Sequence, residues 1–218
     1  SSAASDVYKR QFTNVQAEEL RGEGGIRDLA IGVDTKAAQD LVVSDDEGKG
    51  TPSEEAITWL NQFRRDAGLL PVEYNAKIEQ AAQGHAFFIA EHRELYQGAL
   101  SFHDEIPGKA GFLAKKYWER QELFESKEKA LGEVIAFQRS TEAAMAQWME
   151  SVYHRIPLLD TRARTAAYAL QVRGEHAFGV LELSQSSHLD EQMDQDWVAY
   201  PQDGASLVPV EWDGKESP

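Results

Sequence analysis

Residues 60–72, Leu-Asn-Gln-Phe-Arg-Arg-Asp-Ala-Gly-Leu-Leu-Pro-Val, contain the helix end on which the fold assignment depends. Ile57, Leu60 and Phe63 lie at helical spacing and predict one apolar face of a helix. Gly68 ends this helix, because glycine readily adopts the backbone conformations that follow a helix. The apolar residues after it predict an extended connection to the next element.

The start of this helix is marked by capping residues. Ser53 is the predicted N-cap, because its hydroxyl can accept a hydrogen bond from a free amide of the first turn. Glu54 and Glu55 place negative charge where the helix dipole favours it. We therefore place the start of the domain at residue 53.

A second helix is predicted from about residue 75 to about residue 92. Its apolar stripe includes Ile78, Ala82 and Ala86, at spacings typical of one helix face. His85 falls on the same stripe. A histidine in this position is expected to be a core residue with satisfied hydrogen bonds rather than a ligand.

Two further helices are predicted over residues 112–123 and 140–152, and an apolar turn over 156–160. Two strands follow, at 166–172 and 177–183, joined by a hairpin turn. Both strands are apolar at nearly every position, so both faces of their sheet are expected to be covered. Helices on the two faces give an α/β fold, a three-layer α-β-α sandwich.

The composition excludes several classes of function. The chain has 37 acidic and 22 basic residues and a formal charge of −15, so it has no electrostatic basis for binding nucleic acid or an anionic membrane surface. It has no cysteine, which excludes disulfides, thiolate metal ligands and a cysteine nucleophile. No apolar run approaches the roughly 18 residues of a transmembrane segment.

The two ends of the chain differ in composition from the middle. We interpret residues 1–11 as a non-native assembly artefact and residues 12–52 as a linker or N-terminal arm. Residues 53–187 form the predicted domain. Residues 188–218 are interpreted as a linker and the start of a truncated all-β module, whose first strand is expected at 208–212. No signal peptide is visible, as these interpretations lead us to expect.

Five segments of the middle region match, in order and spacing, motifs of one protein family. They are residues 60–72, 81–86, 101–103, 132–136 and 148–155. Together they resemble the bacterial CAP domain, the SCP-like superfamily of cysteine-rich secretory, antigen 5 and pathogenesis-related 1 proteins. The resemblance implies a three-layer α-β-α sandwich of the CAP/SCP type and a secreted, extracellular or cell-surface location.

The resemblance also implies a solvent-open cavity lined by His103, Glu133 and His154, which are the candidate catalytic residues. Imidazoles suit a divalent cation such as zinc, so His103 and His154 are the predicted metal ligands, with no obligatory cofactor. The same groups suit acid–base chemistry near neutral pH. The alternative is a structural role as a buried hydrogen-bonded brace.

Two further residues are assigned to the cavity. Glu105, two residues after His103, is the candidate for its second carboxylate, because Ser151 occupies the position where many family members have a glutamate. Arg155 is expected either to orient a carboxylate such as Glu133 or to cap the helix that precedes it.

Three functions follow from these observations. The preferred one is a secreted, non-enzymatic binding module for a small ligand, a lipid or a surface polymer. The first alternative is a metal-dependent or His/Glu-dependent hydrolase acting on peptide or cell-wall material. The second is an adhesion or scaffold domain of a larger surface protein. The missing nucleophile elbow, His-Glu-x-x-His motif and phosphate loop favour the non-enzymatic function.

Overall fold

The computed structural model describes residues 50–98, 100–125, 127–186 and 198–201. Five α-helices, one short 3-10 helix and four strands make up these segments. In chain order they are α1 (Pro52–Asp66), β1 (Glu73–Tyr74), α2 (Ala76–Glu91), the 3-10 helix (Arg93–Gln97), α3 (Tyr117–Phe124), β2 (Lys129–Ala136), α4 (Thr141–Glu150), α5 (Val152–Leu158), β3 (Thr165–Arg173) and β4 (His176–Gln185).

The four strands form one mixed sheet in the order β1-β3-β4-β2. β3 and β4 are the predicted hairpin, antiparallel from Thr165 opposite Ser184 to Arg173 opposite His176. Gly174 has a φ of 59° in the turn between them, a conformation that favours glycine. β2 is antiparallel to β4, and the two-residue β1 is parallel to β3.

Apolar side chains cover both faces of this sheet. On one face, Leu60, Trp148 and Leu158 of α1, α4 and α5 pack in one core cluster. On the other face, Ala86 and Phe88 of α2 pack in a second cluster. α3 contacts α2 and β2 and lies on the second side. The three-layer α-β-α sandwich predicted from the apolar strands is confirmed.

The N-cap of the first helix lies two residues before the predicted one. Thr51 is the N-cap, and its hydroxyl and backbone amide exchange hydrogen bonds with Glu54 in a capping box. Ser53 instead lies inside the first turn and faces the sheet. Its hydroxyl oxygen accepts a hydrogen bond of 3.0 Å from the backbone amide of Tyr168 on β3. The prediction of Ser53 as the cap was therefore wrong.

The polar residues of α1 hold the connection that follows it. Arg64 is fully buried, and its guanidinium donates to the carbonyl oxygens of Leu70, Leu158 and Asp160 at 2.8 to 3.0 Å. Asn61 accepts from the backbone amide of Val72 and donates to its carbonyl. These bonds tie α1 both to the connection that follows it and to the segment between α5 and β3.

The region predicted as one helix and an apolar turn contains two helices. α4 ends at Glu150, and Ser151 then caps α5, where its hydroxyl accepts from the amide of His154 at 3.5 Å. α5 packs closely on β2, since a Cβ on Gly132 would lie 2.6 Å from Cβ of Pro157. The predicted turn at 156–160 was therefore wrong over its first three residues.

Most of both chain ends lies outside the described residues, including 1–49, 187–197 and 202–218. The strand expected at 208–212 falls in the last of these segments. Within the described C-terminal residues, Val198 and Tyr200 pack against the core cluster to which α1, α4 and α5 contribute. None of the helices in the described segments is long and apolar enough to cross a bilayer.

Candidate functional site

His103 and Glu133 meet at the edge of the second layer. Glu133 lies on β2 with its carboxylate buried, and His103 lies in the loop between the 3-10 helix and α3. The two side chains are joined by a hydrogen bond of 2.8 Å between Nδ1 of His103 and Oε1 of Glu133. The imidazole is 36% exposed and forms the outer member of the pair.

The second oxygen of the Glu133 carboxylate is held by Arg120 of α3. Nη2 of Arg120 donates to Oε2 of Glu133 at 2.8 Å, and the arginine is fully buried. The same nitrogen donates to the carbonyl of His103 at 3.2 Å. Arg120 thus fixes both the carboxylate and the backbone that carries the imidazole.

Glu105 lies deeper, where it pairs with His85. Oε1 of Glu105 is 2.9 Å from Nδ1 of His85, and Oε2 accepts from the amide of Leu113 at 2.8 Å. Nε2 of His85 lies 2.8 Å from the carbonyl of Phe102 and 3.9 Å from Oε1 of Glu133. His85 is therefore the satisfied core histidine that the apolar stripe predicts. It also connects Glu105 to the candidate site.

Both ring nitrogens of His85 face an acceptor, a carboxylate oxygen of Glu105 on one side and the carbonyl oxygen of Phe102 on the other. The two oxygens of Glu105 are in turn occupied by His85 and by the backbone amide of Leu113. His85 and Glu105 therefore form a paired unit in the core behind the candidate site.

Glu133 is a carboxylate in this environment. Burial raises its pKa, but the nearby charges of His85 and Arg120 and the hydrogen bond from His103 outweigh burial and lower that pKa to about 2. Its negative charge is thus matched by the positive charge of Arg120.

The imidazole of His103 opens onto a hollow of about 520 Å³. Its walls combine the half-exposed Trp118 of α3 with Ile156 of α5, and the floor includes Gly132. Two ion pairs stand at its rim, Lys116 with Asp104 and Arg162 with Asp160, each at 2.6 Å. Further lining residues are Ser101, Tyr117, Leu131, Glu133 and Pro157.

His154 and Arg155 lie elsewhere. His154 is not among the residues that line the hollow, and its Nδ1 is 2.7 Å from the hydroxyl of Ser151. Arg155 donates to the carbonyl of Met149 at 2.9 Å, and its guanidinium lies 4.8 Å from the ring centroid of Tyr200. Of its two predicted roles, the structure supports capping of α4, because the guanidinium on Glu133 is that of Arg120.

The sequence interpretation missed Glu182, which lies on β4 directly opposite Glu133. It is fully buried, and neither carboxyl oxygen has a hydrogen bond of good geometry to a described residue, although the side chains of Gln121 and Glu133 lie close enough to affect its pKa. Burial, followed by the negative charge of Glu133, raises the pKa of Glu182 well above its ordinary value. The available signal was an acidic residue within the otherwise apolar strand 177–183.

The described side chains do not fit the predicted metal site. They contain no group of three or more His, Cys, Asp or Glu residues arranged to hold a metal ion. Both oxygens of Glu133 are engaged by His103 and Arg120, and His154 is absent from the hollow. Binding of zinc or another divalent cation by His103 and His154 stays a prediction.

The pair can act chemically through the outer nitrogen of the imidazole. With Nδ1 committed to Glu133, Nε2 of His103 makes no hydrogen bond to a described residue. A carboxylate on Nδ1 fixes the tautomer that leaves the Nε2 lone pair free. The pair can therefore accept a hydrogen bond from a ligand, or a proton from a bound water.

A three-layer sandwich with one polar pair at an open hollow defines the structural class of this domain. The sequence model of the Cysteine-rich secretory protein family, CAP, matches residues 58–183, more than half of the chain. The chain belongs to the CAP family. It does so without any cysteine.

Solved structures are similar at low sequence identity. An outer surface protein from Borrelia burgdorferi is 13% identical with a TM-score of 0.51, over 61% of this chain and 91% of that chain. An extracellular protein containing an SCP domain from Bacillus anthracis is 19% identical with a TM-score of 0.49, over 62% of this chain and 40% of that chain. The first likeness shows the fold. No curated protein matches the sequence significantly.

Proposed function

We propose that this CAP domain is an extracellular, non-enzymatic binding module whose ligand enters the hollow above His103. The observation that carries the proposal is the His103–Glu133 pair at the wall of an open space of about 520 Å³. Ligand sites in proteins are concave and fall in this range of volumes, with few polar groups that fix the orientation of the ligand.

The walls favour a ligand with one apolar and one polar face. Trp118 and Ile156 are 49% and 62% exposed and offer apolar contact area. Nε2 of His103 offers an acceptor, and the Lys116–Asp104 and Arg162–Asp160 pairs offer donors and acceptors at the rim. A hydroxyl-rich segment of a surface polymer or a lipid head group with its adjoining chain has this combination.

The test is a ligand-detected and protein-detected NMR screen with defined probes. The probes are a small-fragment library, a soluble N-acetylglucosamine tetramer and phosphatidylcholine micelles. We expect binding probes to shift the Trp118 indole and His103 imidazole signals, and we expect His103→Ala to weaken binding at least tenfold. A tenfold loss is the size expected when the imidazole is removed and the ligand donor that it bonded is left without a partner.

The matched control is Trp59→Phe, on the opposite layer of the sandwich, where the indole packs against the α1 core. This change should leave probe binding unaltered. Probes that shift Trp59 and leave Trp118 unchanged, or a screen in which none perturbs His103, would contradict the proposal.

The extracellular location has a separate test. The family name and the CAP motifs support secretion, and the chain's lack of cysteine is compatible with it. Antibody detection in the culture medium and on intact cells of the producing organism should find the protein there. Detection only inside the cells would overturn this part of the proposal.

The second candidate function is a His/Glu-dependent hydrolase. The observation in its favour is the orientation of His103, which receives Glu133 on Nδ1 and leaves Nε2 free to take a proton from water. An enzyme of this kind would lose about 10²- to 10⁴-fold of its rate in Glu133→Gln. We expect no hydrolysis of peptide or cell-wall polymers by the wild type, and activity that disappears in this variant would support the hydrolase.

Metal binding is tested by zinc titration calorimetry of the wild type, His103→Ala and His154→Ala. A heat present in the wild type and absent in both variants would establish the predicted site. Equal heats in all three proteins would reject it.

A further inference from the structure

Glu182 is a buried acid that the proposed function does not use. Its position in the middle of β4 is directly opposite Glu133 on β2, and opposite Ala167 on β3. Side chains of directly opposed residues share one face of a sheet, with Cβ atoms about 4.5 to 5.5 Å apart. The two carboxyl groups are therefore neighbours inside the protein.

Among the described residues, the groups around Glu182 supply no cation that is paired with it alone. β2 contributes Glu133, and α3 contributes Arg120 and Gln121, and all three affect the pKa of Glu182. Tyr117 of α3 is also close, since the charge of Glu182 helps to raise its pKa. Arg120 donates to Glu133. On the α2 side, Glu105 is paired with His85 at 2.9 Å. Arg120 is thus shared between two carboxyl groups, and its hydrogen bond goes to Glu133, so Glu182 has no hydrogen-bonded cation among the described residues.

The polar contacts of Glu182 point the same way. Neither of its oxygens has a hydrogen bond of good geometry to a described residue, and the neighbouring Glu133 side chain raises its pKa. A buried, unpaired carboxylate is far more costly than a buried carboxylic acid, because ionisation removes a hydrated charge from water. Two negative charges facing each other across neighbouring strands add direct repulsion.

We propose that Glu182 is a neutral carboxylic acid at neutral pH and a positioning residue for the His103–Glu133 pair. As a neutral group it occupies the cross-strand place beside Glu133 without competing for Arg120. The guanidinium then remains on Glu133, and Glu133 remains on His103. The proposal concerns this buried group alone and holds whether or not the hollow binds the probes named above.

Infrared spectroscopy tests the protonation state directly. A protonated carboxyl has a C=O stretching band separate from the bands of carboxylates. The wild-type protein at pH 7 should show a band of this kind that is lost in Glu182→Gln. Glu175→Gln is the matched control, because Glu175 is exposed in the turn of the same hairpin, and this change should retain the band. A wild-type spectrum without the band overturns the proposal, even if the variant does not fold.

Stability as a function of pH gives an independent test. The folded pKa of Glu182 is raised, so the folded state binds the proton more tightly than the unfolded chain. The wild type should therefore lose stability as the pH rises above the ordinary pKa of glutamate, by up to tenfold in the folding equilibrium constant per pH unit. Glu182→Gln cannot ionise and should escape this loss. The proposal is overturned if the ratio of the folding equilibrium constants of the variant and the wild type does not change with pH.

The positioning role has its own readout in the signals of His103. Raising the pH until the infrared band disappears should move the ¹⁵N signal of the His103 Nδ1 in the wild type, because ionised Glu182 competes for Arg120. The same signal should stay unchanged over that range in Glu182→Gln. Identical behaviour of the two proteins would show that Glu182 does not act on the pair.

Discussion

Arg120 connects more of the buried polar groups than any other described side chain of the site. It bonds to Glu133 and to the carbonyl of His103, and its Nε lies 3.7 Å from Glu105. A buried ion pair is strongly destabilised when one partner is removed, because the other charge remains without compensation.

We therefore expect Arg120→Met to lower the free energy of unfolding by about 3 to 5 kcal/mol. Urea denaturation at pH 7 measures this change. Lys116→Met is the matched control, since it removes a half-exposed cation of the hollow rim, and its expected cost is about 0 to 1 kcal/mol. Equal losses in the two variants would show that the buried Arg120 stabilises the fold no more than Lys116 at the rim does.

The sequence alone could identify those site residues that stand out as polar groups within a recognisable local motif. His103 and Glu133 stood out as polar groups in matched motifs, and Glu105 was found two positions from His103. Arg120 was missed because nothing in α3 distinguishes an arginine that points inward from one in water. Its role depends on the packing of α3 against β2, which no short segment encodes.

Gly132 decides how closely α5 approaches β2. The Cβ of an alanine there would lie 2.6 Å from Pro157, whose ring cannot turn away as a flexible side chain would. Because β2 also carries Glu133, displacement of α5 changes the wall of the hollow.

We expect Gly132→Ala to lower the free energy of unfolding by about 1 to 3 kcal/mol, the usual cost of overpacking. It should also shift the NMR signal of His103. Gly98→Ala is the control, because no atom lies within 4 Å of its Cβ position, and it should leave both quantities nearly unchanged. Unaltered stability of Gly132→Ala would indicate that α5 moves without cost.

Elements were predicted well where one periodic pattern or one turn residue determines them. The apolar stripe of α2 and the β3–β4 hairpin agree with the structure to within a few residues. The break between α4 and α5 was missed because Ser151 was taken as part of one continuing helix. Its capping role, with the ring and amide of His154, decides that boundary.

Two carboxyl groups with opposite pKa shifts give the whole molecule an unusual response to pH. The folded pKa of Glu133 is lowered to about 2, so its stabilising contribution is present above the ordinary pKa of glutamate and is lost as the pH falls towards 2. The folded pKa of Glu182 is raised, so its stabilising contribution is present below the ordinary pKa of glutamate and is lost as the pH rises.

Glu133→Gln should therefore be less stable than the wild type at pH 7, and this difference should shrink as the pH falls from about 4.5 to about 2. Chemical denaturation at a series of pH values measures both curves. Parallel curves over that range would contradict the assigned pKa of Glu133.

The architecture as a whole followed from strands that are apolar at nearly every position. That pattern requires cover on both faces, and the two core clusters provide it. The face of the sheet on which each buried polar group lies could not be predicted in the same way, because it depends on strand register. Only the pairing of β2 with β4 places Glu133 beside Glu182, and a shift by one residue would direct one of them to the opposite layer.

The hydroxyl of Ser53 on the Tyr168 amide has a consequence for behaviour at high concentration. β1 pairs with only the first two residues of β3, so beyond Ala166 no strand of the described segments lies beside the outer border of β3. An unpaired border of this kind can recruit another polypeptide and start aggregation. By occupying an outward amide with a side chain of α1, the protein blocks that route, and Ser53→Ala should raise its tendency to self-associate in light scattering.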